Sequence, residues 1–327
     1  MEENNEFFES RVNLSPLKNA VLQIKAEVGK IVIGQHKMVD LLIATILAEG
    51  HALIEGVPGV AKTLTAKIIS RIISVDFSRI QFTPDLMPSD VLGTSIFNVK
   101  TSEFEYKKGP IFSNIVLIDE INRAPAKTQA ALFEVMEEKQ ISMDGEVHKM
   151  ERPFMVLATQ NPIEQEGTYR LPEAQLDRFL FKIEVGYPKL SEEIEILTSF
   201  HERKNQNDLN TISAVMNASE LESFRDVVKS IKIEKSILEY IAKIVNTTRN
   251  YPALYLGASP RASIAIMKSA QAIAAMQGRD FITPDDVKFI TEPVLIHRIM
   301  LTPEKEMEGA TAAQVIQQIV ESVEVPR

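Results

Sequence analysis

The order of apolar and polar positions divides the chain into two parts. From about residue 15 to residue 187, apolar segments with helical spacing alternate with short runs rich in β-branched residues. This alternation predicts an α/β fold with a mostly parallel five-stranded sheet. The predicted strands cover residues 51–55, 79–83, 115–119, 154–159 and 181–185. Two further segments, at about residues 94–106 and 139–150, have the pattern of β-hairpins inserted between these elements.

After Pro188 the strand signals stop and helical spacing continues to the end of the chain. Helix starts, each followed by acidic residues in the first turn, are predicted at Ser191, Ser219, Thr283 and Thr302. A proline ends a strand and lets the chain turn, so we place a domain boundary there. We expect an α/β core over residues 1–187 and a smaller all-helical domain over residues 188–327, each with its own apolar core.

A turn rich in glycine and proline joins the first predicted strand to a helix that opens with Lys62 and Thr63. Such a turn can point successive backbone N–H groups inward as a nest for anions, and the helix start adds its positive end. Lys62 would then reach the β- and γ-phosphates of a nucleoside triphosphate, and Thr63 would ligate Mg²⁺. The predicted nucleotide contacts are Val57, Pro58, Gly59, Val60, Ala61, Lys62, Thr63 and Leu64.

Ala61 stands where the phosphate-loop pattern G-x-x-x-x-G-K-[ST] has glycine. Alanine carries a methyl group that disfavours positive φ. We therefore expect the backbone to stay in the ordinary helical conformation at this residue.

Two predicted strands end in polar residues. Asp119 and Glu120 follow a run of four aliphatic residues, and at the carboxyl end of a parallel strand they would lie across from the phosphate loop. Asp119 would hold Mg²⁺ through water, and Glu120 would orient or polarise an attacking water. Asn161, at the end of another strand, would hydrogen-bond the γ-phosphate or that water. The alternatives are acids at a strand end in solvent and a turn-forming asparagine before proline.

Composition limits the classes of function. The chain has no cysteine, which excludes disulfides, thiolate zinc sites, iron–sulfur clusters and cysteine nucleophiles. A formal net charge of −9 argues against a surface built mainly for nucleic acid, although a basic channel inside an oligomer stays open. The apolar runs are broken well short of a membrane span, so we expect a cytoplasmic protein with no membrane insertion.

The motifs taken together resemble those of the MoxR group of AAA+ ATPases, a member of the helix-2-insert clade. The matching segments, in order, are GVPGVAKT, IVLIDE, ATQNP, EGTYRLPEAQLDRF and GASPRA, and the likeness covers nearly the whole chain. It implies a P-loop AAA+ core with a helical lid. The two hairpins would be the helix-2 and pre-sensor-1 inserts, which project toward the pore of a ring. In this group alanine takes the place of glycine in the loop.

The resemblance also assigns roles to residues outside the loop. Arg178 is similar to an arginine finger that reaches the nucleotide of the next subunit, where an always-charged fork suits γ-phosphate charge. Arg261 resembles sensor 2 and would touch phosphates of its own or of a neighbouring subunit. Ile33, Gly34 and Gln35 would lie near the adenine. The alternatives are a surface cation for Arg178, an ordinary early-helix arginine for Arg261 and a plain helix cap for the last three.

The leading hypothesis is therefore an ATP hydrolase that needs Mg²⁺ and works as a ring, with a hexamer implied by the resemblance. It would remodel, assemble or mature partner proteins, with a von Willebrand factor A domain protein and a client as partners, including metal or cofactor insertion in another enzyme. One alternative is a nucleotide-switched scaffold with little turnover. Another is a nucleic-acid motor, but the predicted hairpins carry charges of both signs, which make a poor track for phosphates.

Overall fold

A parallel sheet of five strands forms the centre of the first part of the chain. The structure, a computed structural model, describes residues 13–57, 59–161, 169, 171–204, 206 and 208–326. Along the chain the strands are β1 (Ala52–Gly56), β2 (Phe77–Gln81), β3 (Gly93–Asn98), β4 (Glu103–Lys108), β5 (Ile115–Asp119), β6 (Gln140–Met143), β7 (Glu146–Lys149), β8 (Met155–Gln160), β9 (Phe181–Val185), β10 (Leu254–Leu256) and β11 (Met300–Leu301).

The strands of the central sheet lie in the order β2, β5, β8, β1, β9, and every neighbouring pair is parallel. This confirms the predicted sheet. The predicted bounds of β5 and β9 match the structure, whereas the other three strands are displaced by one or two residues along the chain.

Helices cover the sheet and make up most of the second part of the chain. They are α1 (Ser15–Gly29), α2 (His36–Leu47), α3 (Lys62–Ile72), α4 (Pro88–Leu92), α5 (Ala126–Glu138), α6 (Glu173–Leu176), α7 (Leu190–Glu202), α8 (Ala218–Lys229), α9 (Lys235–Arg249), α10 (Pro260–Met276), α11 (Pro284–Leu295), α12 (Pro303–Met307) and α13 (Ala312–Ser322). Over the part of the chain that the structure describes, no helix is both long and apolar enough to cross a membrane.

Both faces of the sheet are buried, because its strands place apolar residues on both sides. In β5, Ile115 and Leu117 belong to one apolar cluster, together with α1, α2 and α3. Val116 and Ile118 point the other way and pack in a second cluster with α5. A strand covered on both sides carries a continuous apolar run, which is why this strand was recognisable in the sequence.

The first apolar cluster continues into the second part of the chain. Buried residues of α10, including Ile266 and Ala270, belong to the same cluster as Leu41 of α2. The expectation of two separate apolar cores was wrong, because α10 buries most of its surface and contacts α1 and α2 as well as α8, α9 and α11. The domain boundary at Pro188 stays a prediction.

The second part of the chain begins its helices close to the predicted positions. α7 and α8 begin one residue before Ser191 and Ser219, and Thr283 and Thr302 stand at the N-caps of α11 and α12. The antiparallel ribbon of β10 and β11 was not predicted, because strands of three and two residues carry no alternation that a sequence could reveal.

The two predicted hairpins form, as β3–β4 and β6–β7, and they lean against each other. The Ser95 hydroxyl donates a hydrogen bond to Asp144, and the rings of Tyr106 and His148 stack with their centroids 4.4 Å apart. The first hairpin exposes a group of large apolar side chains on its strands and in the turn that joins them, Ile96, Phe97, Val99 and Phe104.

A buried histidine connects three elements at the amino-terminal edge of the sheet. His51 precedes β1, and its Nδ1 accepts a hydrogen bond of 2.9 Å from the backbone N–H of Val156 in β8. Its Nε2–H then donates to the carbonyl oxygen of Met136 in α5, over 3.2 Å. Burial lowers the pKa of His51 from 6.5 to about 4. Protonation at Nδ1 would remove the acceptor of the hydrogen bond from Val156, so the imidazole of His51 is neutral in the folded protein.

We predict that this histidine makes the fold acid-sensitive. Below about pH 6.5 the unfolded chain binds a proton that the folded chain refuses down to about pH 4, so the stabilisation from neutral His51 is lost across that window. Replacing it by glutamine, His51→Gln, removes the titration. Between about pH 7 and about pH 4, the unfolding free energy of the native chain should fall by up to about 3 kcal/mol more than that of the variant.

Urea unfolding of the nucleotide-free protein at both pH values measures this difference. Carboxylates and the other buried histidine, His297, titrate in both proteins and cancel in the comparison. Equal losses of stability in the two proteins would contradict the assignment.

Candidate nucleotide-binding site

A cavity of about 350 Å³ lies where the carboxyl ends of β1, β5 and β8 meet the start of α3. It collects predicted residues from three separate segments of the chain. Its lining consists of Gly59, Ala61, Lys62, Thr63, Leu64, Arg79, Gln81, Asp119, Glu120, Thr159 and Asn161. Of the other predicted loop contacts, Val57 packs against the apolar core, Val60 is buried in it and Pro58 lies outside the described residues.

The turn before α3 uses positive φ at two of its residues. Gly59 has φ of 90°, and Ala61 has φ of 59° and ψ of 17°, which is the left-handed conformation. The expectation that Ala61 keeps the ordinary helical conformation was therefore wrong. Ala61 is the cap residue of α3, and its carbonyl already accepts bonds from the backbone N–H and the hydroxyl of Thr65. The chain must turn sharply to enter the helix there, and the turn overrides alanine's own preference at a cost of about 1–2 kcal/mol.

Lys62 is folded back over the loop. Its Nζ donates a hydrogen bond of 2.5 Å to the carbonyl oxygen of Gly56 at the end of β1. Partial burial lowers the pKa of the Lys62 ammonium, and the nearby charges of Asp119 and Glu120 oppose that shift. A cation held beside two carboxylates and over a concave loop is placed to meet the anionic groups of a phosphate chain.

The metal-ligand candidate Asp119 is buried, with both carboxylate oxygens engaged. Thr159 at the end of β8 donates its hydroxyl proton to Oδ1 over 3.1 Å. The guanidinium of Arg79 in β2 lies 2.6 Å from Oδ2. The same Thr159 oxygen accepts the backbone N–H of Glu120 over 3.1 Å, so one hydroxyl fixes both acids.

Glu120 has left-handed backbone geometry, with φ of 57°. Its carboxylate accepts a hydrogen bond of 2.7 Å from the side-chain amide of Gln81 and lies 3.1 Å from Nε of Arg123. The side chain is thus held toward β2. A strained non-glycine residue of this kind commonly marks a functional position.

Sequence reasoning missed Arg79 and Gln81. Both lie in β2, two residues apart and therefore on one side of the strand. The available signal was one polar residue on each side of the buried Ile80. That signal becomes useful only once β2 is known to lie beside β5, with Gln81 opposite Asp119.

Arg178 and Arg261 do not line this cavity; they lie together elsewhere. Nε of Arg178 is 3.5 Å from one oxygen of Glu137, near the end of α5. Nη2 of Arg261, in the first turn of α10, is 2.8 Å from the other oxygen. One carboxylate therefore joins the two arginines that were predicted to act on phosphates.

Residues 33–35 also lie outside the cavity. A Cβ added at Gly34 would come within 2.7 Å of the Glu192 carboxylate carbon, so this segment lies directly beside α7. Gln35 stands at the N-cap of α2, but its side chain makes no capping hydrogen bond. Contact of Ile33, Gly34 and Gln35 with an adenine stays a prediction.

The donor set fits a magnesium–nucleotide complex. Thr63 and Asp119 bring a hydroxyl and a carboxylate, the hard oxygen donors that Mg²⁺ prefers, into one cavity with the phosphate loop. Within the described ranges, no group of three or more histidine, aspartate and glutamate residues could hold a metal ion. A phosphate loop after β1, acids at the end of β5 and a mostly helical second part define a nucleotide-binding protein of the P-loop class.

Comparison with known proteins places the chain in a family within this class. The model of the ATPase family associated with various cellular activities (AAA) matches residues 51–181, and that of the AAA lid domain matches residues 246–319. Chaperone MoxR1 of Mycobacterium tuberculosis is 40% identical, over 95% of this chain and 82% of its own. The uncharacterized protein YeaC of Bacillus subtilis is 46% identical over 96% of each chain. A crystal structure from Cytophaga hutchinsonii, described as a candidate ATPase, is 41% identical and superposes with a TM-score of 0.87, over 95% of this chain and 96% of its own.

The chain belongs to the MoxR family of AAA+ ATPases. This confirms the resemblance read from the motifs. It also confirms the fold class, a parallel α/β core followed by a lid.

The left-handed geometry of Ala61 gives a prediction about stability. Glycine adopts this conformation without strain, so Ala61→Gly should leave the unfolding free energy unchanged or raise it by up to about 1 kcal/mol. Ala66 lies inside the same helix, and Ala66→Gly should lower the unfolding free energy by about 1 kcal/mol or more. Urea unfolding of the nucleotide-free proteins measures both. Equal destabilisation by the two substitutions would mean that Ala61 is not left-handed.

Proposed function

We propose that the protein is a magnesium-dependent ATP hydrolase of the MoxR type. The observation that supports this most strongly is the meeting of Lys62, Thr63, Asp119, Glu120 and Asn161 in one cavity. These side chains come from three segments that are far apart in sequence. Together they provide a cation, two carboxylates, a hydroxyl and an amide, which are the groups that phosphoryl transfer requires.

Each group has a role that follows from its chemistry. Lys62 and the N–H groups of the loop would bind the β- and γ-phosphates. Thr63 and Asp119 would hold Mg²⁺, which when bound neutralises charge on the phosphate oxygens. Asn161 would donate a hydrogen bond to the γ-phosphate or to the attacking water, where negative charge builds up.

Glu120 would orient the attacking water and accept its proton. In the structure one carboxylate oxygen, Oε2, contacts both Gln81 and Arg123. The Glu120 charge also acts on Lys62, in the cavity that both residues line. In this proposal Gln81 and Arg123 hold Oε2 while Oε1 accepts the hydrogen bond from water.

Arg178 and Arg261 would serve the nucleotide of a neighbouring subunit. Arg178 precedes β9, whose first residue Phe181 lies opposite the first residue of β1, whereas the phosphate loop follows the last residue of β1. Four residue steps of β1 separate these two ends, roughly 13 Å at the rise of a parallel strand. Glu137 holds both arginines at the far end, so neither reaches its own cavity in this conformation.

Two subunits would then complete each site, as in a ring, and membership of the family supports a hexamer. Family membership also supports a chaperone-like role, since one relative is named a chaperone. In this proposal the ring acts on a client together with a von Willebrand factor A domain protein. The exposed phenylalanines Phe97 and Phe104, whose rings lie edge to face, offer an apolar surface that a client chain can contact.

Three substitutions test the roles in the hydrolytic site. Lys62→Ala should weaken ATP binding by at least about tenfold, because charge-assisted bonds to phosphate are lost. Glu120→Gln should bind ATP normally but hydrolyse it about 100-fold more slowly. Arg178→Ala should also bind ATP normally, with a loss of about 10³-fold in turnover. Equilibrium binding of ATP and phosphate release at high protein concentration measure the two properties separately.

Arg71→Ala is a matched control for the loss of an arginine. Arg71 lies in the last turn of α3 and contacts Asn210 outside the cavity, so turnover should stay within about twofold. Normal turnover of Arg178→Ala would exclude its role as an arginine finger. A native chain that binds ATP but barely hydrolyses it would favour the nucleotide-switched scaffold, and stimulation of turnover by DNA or RNA would favour the motor.

The partner class is tested by capture on an ATP-bound ring. Glu120→Gln held in ATP should retain a von Willebrand factor A domain protein from the source cells, identified by mass spectrometry, whereas Lys62→Ala should not. Phe104→Ser, on the exposed hairpin, should reduce client capture without changing ATP binding. Equal capture by the Glu120 and Lys62 variants would contradict a partner that recognises the ATP-bound state.

A further inference from the structure

The backbone on both sides of Arg178 is held by one buried arginine of the second part of the chain. Arg298 follows α11 and its side chain is almost fully buried. Its Nε lies 2.6 Å from the carboxylate of Asp177, the residue before Arg178. Its Nη2 donates to the carbonyl oxygens of Asp177, over 3.1 Å, and of Phe179, over 2.6 Å. Its Nη1 donates to the carbonyl oxygen of Leu180 over 3.2 Å.

Two neighbours of Arg298 hold the same segment. Nε2 of His297 donates to the carbonyl oxygen of Phe179 over 3.0 Å. The Ser259 hydroxyl donates to the second carboxylate oxygen of Asp177 over 3.2 Å. Ser259 caps α10, whose first turn carries Arg261. The segment that carries Arg178 is thus tied to two separate helices of the lid.

Burying a guanidinium is costly, and apolar residues could join a segment to a domain at lower cost. Of the five hydrogen bonds that Arg298 donates, four go to the carboxylate and the three backbone carbonyls around Arg178, and the fifth goes to the carbonyl oxygen of Val294 in α11. The planar guanidinium satisfies several acceptors at once, so it fixes the direction of the segment as well as its distance. A contact between apolar side chains does not fix direction in this way. The arrangement therefore specifies the path of the backbone from Asp177 to Leu180.

We propose that Arg298 and Asp177 are positioning residues for Arg178. Through them, the lid of one subunit orients the arginine that acts on the nucleotide of the next subunit. This rests on the proposed function, in which Arg178 acts on the neighbour's nucleotide. Any movement of the lid then carries residues 177–180 with it. The position of the lid in one subunit consequently controls hydrolysis in the adjacent site.

The test uses mixed rings in which the two half-sites come from different subunits. The donor, Glu120→Gln, binds ATP without hydrolysing it and keeps Arg178. The acceptor, Arg178→Ala, has an intact cavity but no finger. Each is nearly inactive alone, and mixing them should restore hydrolysis wherever a donor stands beside an acceptor. Arg298→Lys is then placed either in the donor or in the acceptor.

Lysine keeps the positive charge at position 298 but cannot bind the Asp177 carboxylate and three carbonyl oxygens at the same time. In the donor, Arg298→Lys should reduce the restored kcat by about tenfold or more with little change in the KM for ATP, since misplacing a catalytic group is costly. In the acceptor, which offers no finger, the same change should leave the restored rate within about twofold. This asymmetry between donor and acceptor is not produced by a general loss of stability.

Two further variants keep the result decisive. Asp177→Asn removes the charge from the other side of the pair, and in the donor it should reproduce the loss even if Arg298→Lys folds poorly. Arg279→Lys is the matched control, because Arg279 makes a similar two-bond pair with Asp286 entirely within the lid. In the donor it should leave the restored rate unchanged.

The outcomes distinguish the positioning role of Arg298 from the proposed function on which it rests. A base mixture that restores no hydrolysis overturns the shared site, and this proposal with it. Restored hydrolysis that is unaffected by Arg298→Lys and Asp177→Asn in the donor overturns only the positioning role. An equal loss in donor and acceptor also overturns it, because the effect of Arg298→Lys would then not depend on the presence of Arg178.

Discussion

The parallel pairing of β5 with β2 on one side and β8 on the other is the constraint on which the site depends. Its register sets Gln81 opposite Asp119, and Ile118 opposite the residue before Thr159. A slip of one residue would exchange the side chains that β5 buries in its two apolar clusters, so the close packing of both clusters fixes the register. The same packing therefore brings the Thr159 hydroxyl to both acids, and the geometry of the polar site is a consequence of the apolar core.

The site residues that could be predicted from the sequence belong to motifs of consecutive residues. Lys62 and Thr63 follow a glycine-rich turn, and Asp119 ends a run of buried residues, so strand, turn and polar group are adjacent in the chain. The conformation of Ala61 was not predictable from alanine's preference alone. It is set by the angle at which the loop must enter α3, and that angle depends on how the helix packs on the sheet.

The missed residues depend on contacts that leave no local pattern. Arg79 becomes part of the site only because β2 lies at the edge of the sheet beside β5. The sequence of a single strand does not reveal which strands lie next to it. Arg298 is harder still, because most of its partners are backbone carbonyls about 120 positions earlier in the chain. Every residue has a backbone carbonyl, so the residue types at positions 177–180 do not indicate these contacts.

The positions of the two half-sites also restrict how subunits can assemble, if Arg178 acts on a neighbour. The cavity lies at the carboxyl edge of the sheet, and Arg178 and Arg261 lie with Glu137 toward the amino edge. A twofold dimer pairs one surface with itself, so it would need both half-sites on one face. A head-to-tail contact makes no such demand, because each subunit then uses one surface for its cavity and another for its arginines. A head-to-tail contact either closes into a ring or continues as a filament, and only a ring gives every subunit both a donor and an acceptor.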